Sequence, residues 1–209
     1  MQAPKIEFWY DFASTYSYLS AMRIEPLAAS HGITVDWKPF LLGPIFQSQG
    51  WSTSPFNLYP AKGRYMWRDM ERLAAERGLA FRMPEPFPQN SLSASRVALV
   101  AADAGWLAPF TRAIFVRQFA DGADIGASAT IDAVIEELRP VHRLESAQIV
   151  ARSVATSCKD RLRAQSAEAA RLGLFGAPTF RTADGELFWG DDRLDQAVAW
   201  ARRLKTAVY

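Results

Sequence analysis

The alternation of apolar and polar positions predicts that the chain begins with a strand, a helix and a second strand. Residues 5–12 form an aromatic and β-branched run that is too short and too apolar for an amphipathic helix, which is typical of a buried strand. Apolar residues recur at helical spacings over residues 15–30, with Pro26 expected to bend this helix and Gly32 to end it in a left-handed conformation. Residues 33–40 alternate and predict a second strand, which a helical crossover makes parallel to the first.

Helices dominate the middle of the predicted fold. Residues 41–60 are rich in Gly, Pro, Ser, Thr and Asn and are expected to be irregular, and a loop of this length is usually functional or marks a boundary. Helices are predicted over residues 65–77, 94–104, 108–119, about 128–138 and about 146–172. Residues 83–90 contain three prolines, cannot be helical and are expected to cross a surface or line a cleft.

The C-terminal part is predicted to return to strands. Residues 174–181 and 186–189 flank an Asp-Gly turn, which indicates a β-hairpin. An apolar stripe at helical spacing follows and predicts a last helix that begins at Asp191 or Asp192.

Without the central helices, the order of elements is strand, helix, strand, helix, hairpin and helix. This is the order of the thioredoxin core. We therefore predict an α/β fold in which residues 1–44 and 157–209 form a thioredoxin-like domain. An all-helical domain, residues 45–156, is expected to be inserted after the second strand.

Ser14 lies where the first strand gives way to the first helix, as the N-cap or a first-turn residue. Free N–H groups and the helix dipole favour an anion at such a place. Thioredoxin-like redox sites have this layout and carry Cys-x-x-Cys there. This chain has Ser14-Thr15-Tyr16-Ser17, which cannot form a disulfide, so dithiol exchange is excluded. From these residues alone, a simple capping role for Ser14 is an equally good interpretation.

Composition and charge narrow the class of protein. The chain has 209 residues, of which 49% are hydrophobic, enough for a real core, and its net charge of +2 comes from scattered residues that do not suggest nucleic acid. No apolar segment reaches the ~20 residues of a membrane span, and we expect a cytoplasmic protein. Cys158 is the only cysteine and is expected to be buried. With two histidines and no close ligand spacing, no metal site is expected.

Five separated segments together carry a family resemblance. They are residues 11–19, residues 57–66 with Asp69, residues 87–90, residues 175–179 and residues 188–194. On these motifs the chain resembles the 2-hydroxychromene-2-carboxylate isomerase family, in the DsbA-like branch of the thioredoxin superfamily and related to kappa-class glutathione transferases. The family usually has proline after the active serine, whereas this chain has Thr15. Because the first helical N–H is unpaired in any case, we expect the helix start to survive.

The resemblance implies glutathione as a cofactor, with its sulfur held beside Ser14. The Ser14 hydroxyl and the helix N-terminus would donate to a sulfur anion and lower the thiol pKa from its free value of ~8.5. Ser14 is thus expected to be catalytic as a hydrogen-bond donor. No base for a nucleophilic serine lies near it in the sequence.

The resemblance also implies a set of glutathione-binding residues near the C-terminus. A cis Pro178 would turn the Ala177 backbone towards Ser14, where it would pair with the peptide part of glutathione; a trans proline that opens an edge strand is the alternative. The start of the last helix would hold the γ-glutamyl group. This set consists of Ser14, Ala177, Pro178, Trp189, Gly190, Asp191 and Asp192. Helix capping alone is an equally good interpretation of either aspartate.

A substrate is expected between the core and the helical insertion. Asn57, Lys62 and Asn90 lie in the segments expected to face that cleft, and a carboxylate substrate needs a cation and amide donors. Lys62, like Arg64, is alternatively a solvated surface charge. Asp69 is expected to be structural and paired with a nearby arginine.

The implied reaction is the glutathione-dependent cis–trans isomerisation that interconverts 2-hydroxychromene-2-carboxylate and trans-o-hydroxybenzylidenepyruvate, or a close aromatic analogue. The expected partner is therefore a small aromatic carboxylate, with a homodimer as a further possibility. A kappa-type transferase that conjugates electrophiles and a non-catalytic DsbA-like binding protein are the alternatives.

Overall fold

The structure, a computed structural model, describes residues 4–206 and the side chains of residues 4–204. Its strands are β1 (Lys5–Tyr10), β2 (Thr34–Pro39), β3 (Thr179–Thr182) and β4 (Leu187–Trp189). Its first helix, α1 (Thr15–Ser30), connects β1 and β2. The helices between β2 and β3 are α2 (Leu42–Ser48), α3 (Pro55–Leu58), α4 (Pro60–Glu76), α5 (Leu92–Asp103), α6 (Leu107–Phe119), α7 (Ser128–Glu137), α8 (Arg139–His142), α9 (Ser146–Val154) and α10 (Thr156–Arg171). A 3₁₀ turn (Asp191–Arg193) leads into α11 (Leu194–Thr206).

The four strands of the described chain form one sheet in the order β2-β1-β3-β4. β1 is parallel to β2 and antiparallel to β3, which is antiparallel to β4. At the centre Phe8 is in register with Trp37 on one side and with Phe180 on the other. The mixed α/β fold with a thioredoxin-like core and helices inserted after the second strand is confirmed.

The start of α1 follows the prediction. Ser14 is its N-cap, and the Ser14 hydroxyl accepts a hydrogen bond from the Ser17 N–H at 3.2 Å. Thr15 occupies the first helical position, so the helix begins there without the proline usual in the family. Gly32, with φ of 66°, follows the last turn in the left-handed conformation that glycine adopts without steric cost.

Three helix boundaries differ from the prediction. Residues 41–60 are not irregular, because they contain α2 and α3, and α4 already begins at Pro60. The stretch 146–172 is two helices, since Ala155 adopts an extended conformation (φ −61°, ψ 148°) between α9 and α10. The last helix is preceded by a 3₁₀ turn over Asp191–Arg193.

The core lies on both faces of the sheet because β1 is buried on both sides. Phe8 and Tyr10 belong to a large cluster that includes α1, α4, α5 and α6, whereas Trp9 faces a smaller cluster with Phe40 and Ala169. The large cluster joins residues of the core and of the inserted helices, such as Ile6 and Met66. The predicted boundaries at residues 44 and 156 stay a prediction.

Two observations concern a membrane and a metal ion as interaction partners. Within residues 4–206, no helix combines the length and the apolar character that crossing a membrane requires. The same residues hold no group of three or more histidine, cysteine, aspartate or glutamate side chains arranged to hold a metal ion.

Cys158 is buried, as expected from the sequence, and burial raises the pKa of its thiol.

Candidate active site

A cleft of about 1050 Å³ lies between the thioredoxin-like core and the inserted helices. Its volume is at the upper end of the range for small-molecule pockets, which is about 300–1,000 Å³. Most of the predicted site residues line it: Ser14, Lys62, Asn90, Ala177, Pro178, Trp189, Gly190, Asp191 and Asp192. Asn57 is the predicted site residue that is not among the lining residues.

Ser14 joins the start of α1 to the segment before β3 at the cleft. Its hydroxyl donates to the Ala177 carbonyl oxygen at 2.8 Å, and the Ser14 Oγ itself accepts from the Ser17 N–H at 3.2 Å. The Ser14 side chain is only 9% exposed but contributes to the cleft wall. The capping role and the position beside the Ala177–Pro178 peptide bond, which is cis, therefore occur together.

The bend that carries Ala177 is fixed by hydrogen bonds around it. The Thr179 hydroxyl donates to the Gly176 carbonyl oxygen at 2.9 Å, and the Gly190 N–H donates to the Pro178 carbonyl oxygen at 2.9 Å. Among the hydrogen bonds of residues 4–206, none uses the Ala177 N–H. This backbone donor is thus available at the cleft, as pairing with an extended peptide requires.

Trp189 and Phe175 form an aromatic wall next to this bend. Their ring centroids are 4.9 Å apart in an edge-to-face arrangement, and each side chain is about half exposed. A Cβ atom at Gly176 would lie 2.3 Å from the Trp189 Nε1. Glycine at 176 therefore allows the indole to lie directly over the backbone of the bend.

The two aspartates of the 3₁₀ turn differ in their environment. The Asp191 side chain is 2% exposed and is held by Ser20, Arg23 and Arg77. The Asp192 side chain is 74% exposed and has a distant ion pair with Arg193, at 3.7 Å. The Asp191 carboxylate is thus committed to partners inside the protein, and the Asp192 carboxylate is the one that can reach a ligand.

Lys62 lies on the wall formed by the inserted helices. Its Nζ is 5.6 Å from the centroid of the Phe56 ring, a cation–π distance. Within the part of the chain that the structure describes, Lys62 forms no ion pair. A Cβ atom at Gly63 would lie 2.3 Å from the Phe56 carbonyl oxygen, so the close packing of α3 on α4 places Phe56 beside Lys62.

The two predicted amide donors have structural partners. The Asn57 Nδ2 donates to the Phe87 carbonyl oxygen at 3.1 Å and to the Thr53 hydroxyl at 3.2 Å, so Asn57 joins α3 to the proline-rich segment at the rim of the cleft. Asn90 lines the cleft, and its Oδ1 accepts from the Leu92 N–H at 3.0 Å at the start of α5. The Asn90 side-chain NH₂ group remains for a ligand.

Tyr16 and Asp69 add a polar pair that also lines the cleft. The Tyr16 hydroxyl donates to Asp69 at 2.9 Å, and Asp69 pairs with Arg72 at 2.9 Å, in accord with its expected structural role. Burial, together with the hydrogen bond to Asp69, raises the pKa of Tyr16. The phenol therefore stays protonated across the physiological pH range.

Sequence reasoning missed Asp11 and Arg77. The Asp11 carboxylate accepts from the Ala13 N–H at 2.9 Å and from the Leu42 N–H at 2.7 Å, while burial raises its pKa. Its position directly after β1 was the available signal. Arg77 is the C-cap of α4 and reaches Asp191, and no local pattern marks a pair 114 residues apart.

Comparison with known proteins agrees with this geometry. A family model described as the DSBA-like thioredoxin domain matches residues 5–199. The chain belongs to this family. In this DSBA-like protein Ser14 and Ser17 stand where the sequence analysis places the two cysteines of a Cys-x-x-Cys motif, and the Ser17 hydroxyl is buried without a hydrogen-bond partner.

Relatives of this DSBA-like protein carry two kinds of name. It is 28% identical to glutathione S-transferase kappa 2 of Caenorhabditis elegans, over 92% of this chain and 89% of that protein. It is 26% identical to a 2-hydroxychromene-2-carboxylate isomerase of Sphingobium xenophagum, over 91% of this chain and 94% of that protein. A solved structure of a 2-hydroxychromene-2-carboxylate isomerase covers 98% of this chain and 99% of its own, with a TM-score of 0.84 at 22% identity, a likeness in fold.

Proposed function

We propose that the protein is a glutathione-dependent isomerase that interconverts 2-hydroxychromene-2-carboxylate and trans-o-hydroxybenzylidenepyruvate, or a close aromatic analogue. One observation carries the proposal. The Ser14 hydroxyl at a helix N-terminus and the Lys62 ammonium, which has no ion-pair partner among the described residues, line the same cleft. This combination suits a thiolate and an anionic substrate bound side by side.

The residues present fit glutathione. Peptide groups need backbone partners, and the Ala177 N–H is an unpaired donor at the bend next to Ser14. The γ-glutamyl ammonium needs a carboxylate, which the exposed Asp192 provides, and Trp189 covers the same wall. When bound, glutathione supplies a thiol that adds reversibly to a conjugated carbon and is regenerated.

Ser14 acts in this proposal as a hydrogen-bond donor. Neither of the two histidines lines the cleft, and the Ser14 hydroxyl donates its proton to the Ala177 carbonyl oxygen, which is not a base that could activate it as a nucleophile. Rotation of the hydroxyl away from the Ala177 oxygen redirects its proton towards a sulfur anion, and the start of α1 adds the favourable field of the helix dipole. Both effects favour thiolate over thiol.

The opposite wall suits an aromatic carboxylate. Phe56 and Trp51 offer apolar ring surface, and Lys62 and the Asn90 amide offer a cation and a donor. Preorganised donors stabilise charge that develops during a reaction more than water does. Lys62 is accordingly assigned to the substrate carboxylate and to the enolate charge next to it.

An assay that follows substrate and glutathione together tests the proposal. Spectral conversion of the chromene carboxylate with no net consumption of glutathione is the expected result. The C. elegans kappa transferase relative favours a second candidate, conjugation of an electrophile, which consumes glutathione in stoichiometric amounts. Glutathione binding with neither conversion nor consumption would instead indicate a binding protein and would overturn the proposed activity.

A further inference from the structure

Arg77 and Asp191 form an ion pair that links the inserted helices to the C-terminal part of the core. Arg77 is the C-cap residue directly after α4, and Asp191 opens the 3₁₀ turn before α11. The Arg77 Nη2 lies 2.6 Å from the Asp191 Oδ2, and both residues line the cleft. The pair thus crosses from one wall of the cleft to the other.

Asp191 is a buried anchor for the turn that follows it. Its side chain is 2% exposed, and its Oδ1 accepts from the Ser20 hydroxyl at 2.8 Å. Arg23 lies 3.5 Å from the same oxygen and also donates to the Asp191 carbonyl oxygen at 2.8 Å. A buried carboxylate needs such partners to replace its lost hydration, so they fix its position.

The turn that Asp191 anchors is attached to the bend at Pro178. The Gly190 N–H donates to the Pro178 carbonyl oxygen, and the Arg193 N–H donates to the Gly190 carbonyl oxygen at 3.0 Å. Among the hydrogen bonds of the described residues, the N–H groups of Asp191 and Asp192 have no acceptor. Anchoring by Arg77 therefore positions two free donors and the exposed Asp192 carboxylate together.

We propose that Arg77 is a positioning residue for the γ-glutamyl end of glutathione. Through Asp191 it holds the turn over residues 190–193 against the inserted helices, so that the γ-glutamyl group meets a preformed subsite. A subsite that is ordered in advance binds more tightly because less ordering is needed on binding. The inference rests on the proposed use of glutathione and goes beyond it, because Arg77 itself is assigned no contact with the ligand.

Lysine should replace Arg77 in this role only in part. The Arg77 Nη1 is buried without a hydrogen-bond partner, so Nη2 alone forms the bond to Asp191. Lysine keeps the charge on a shorter and differently shaped donor group. Arg77→Lys is therefore expected to retain part of the effect, whereas Arg77→Met removes it.

Calorimetric binding of two probes to the full chain tests the proposal. Glutathione carries the γ-glutamyl group and cysteinylglycine lacks it. In Arg77→Met we expect glutathione affinity to fall about tenfold, which corresponds to roughly 1.4 kcal/mol, with cysteinylglycine affinity unchanged. Arg68→Met is the matched control, because Arg68 lies on α4, the helix that Arg77 caps, in an exposed ion pair with Glu71. This variant should bind both probes as the parent protein does.

The other outcomes separate the inference from the proposed function. Equal loss of affinity for both probes, or no loss for either, overturns the role of Arg77 while leaving glutathione binding in place. A parent protein that binds no glutathione overturns the proposed function itself. If Arg77→Met does not fold, as judged by circular dichroism, Arg77→Lys takes its place in the comparison. An unchanged preference for glutathione over cysteinylglycine in that variant would then overturn the inference.

Asp191→Asn provides an independent readout of the same pair. If Arg77 acts through Asp191, the double variant Arg77→Met/Asp191→Asn should lose no more glutathione affinity than the more affected single variant. Additive losses would mean that the two residues act separately and would overturn the inference.

Discussion

The Ser14 hydroxyl lies 2.8 Å from the carbonyl oxygen of Ala177, a residue 163 positions later in the chain. This hydrogen bond places the start of α1 against the bend at Pro178. Because the bend also carries the Ala177 N–H, which has no acceptor among the described residues, a hydroxyl donor and a backbone donor lie next to each other. The proposed use of glutathione depends on this relationship.

Ser14→Ala should reduce kcat by about 10²–10³-fold, because the variant loses a hydrogen bond that stabilises negative charge in the active site. It should also lower the free energy of unfolding by about 1 kcal/mol, because the N-cap of α1 is lost. Steady-state kinetics and urea unfolding measure the two effects. Ser30→Ala, at the exposed end of the same helix, is the control, and an unchanged kcat in Ser14→Ala would refute the catalytic role.

Lys62→Met should raise KM for the carboxylate substrate about tenfold, or roughly 1.4 kcal/mol, with little effect on glutathione affinity. The reason is the loss of a cleft-lining cation that, within the described residues, has no competing ion pair. Arg64→Met is the matched control, since Arg64 is exposed on the same helix and is not among the cleft-lining residues.

A neutral ester of the substrate sharpens this test. Its KM should be the same in the parent protein and in Lys62→Met, because no carboxylate charge remains to be recognised. A Lys62→Met variant with parental KM for the carboxylate would place substrate recognition elsewhere.

Gly63→Ala should destabilise the protein by about 1–3 kcal/mol, the usual cost of overpacking. The added Cβ would lie 2.3 Å from the Phe56 backbone oxygen, so α3 has to move away from α4. Gly43→Ala, where a Cβ meets nothing within 4 Å, should be neutral or stabilising in the same urea titration. Equal stability of the two variants would contradict the close packing of α3 on α4.

Asp11 should give the unfolding free energy a defined pH dependence. Burial raises the pKa of Asp11 above its ordinary value of 3.8, although the N–H donors of Leu42 and Ala13 act in the opposite direction. With the folded pKa above the unfolded one, the contribution of Asp11 to stability is fully present below pH 3.8 and is lost as pH rises through the folded pKa.

The comparison with Asp11→Asn isolates this effect. The difference in unfolding free energy, parent minus variant, should fall with rising pH above 3.8 and level off once Asp11 is ionised in the folded state. Urea unfolding over a pH series measures it. A difference that rises with pH over this interval would show that the folded pKa is lowered.

The parts of the fold that depend on burial and local caps were predictable from the sequence. β1, α1 and β2 were found within two residues, since aromatic and β-branched runs and the N-cap Ser14 act locally. The start of α2 was not predicted, because the Leu42 N–H donates to the Asp11 carboxylate, which lies 31 residues earlier in the chain. The break at Ala155 was also missed, since neither proline nor glycine marks it.

The candidate site also has features that the sequence predicted and features that it did not. The proximity of Ser14 and Ala177 followed from the family resemblance and is present in the structure, as is the cis bond at Pro178. The commitment of Asp191 to Arg77 could not be read from local spacing, because it joins two distant segments. The roles in binding and catalysis, a homodimer and a cytoplasmic location stay predictions.

The thiol pKa of bound glutathione tests the central claim most directly. It can be measured from the ultraviolet absorbance of the thiolate during a pH titration of the complex, in the parent protein and in Ser14→Ala. We predict a pKa well below the ~8.5 of a free thiol in the parent and a return towards that value in the variant. A bound thiol that titrates at its free value in the parent protein would contradict the account.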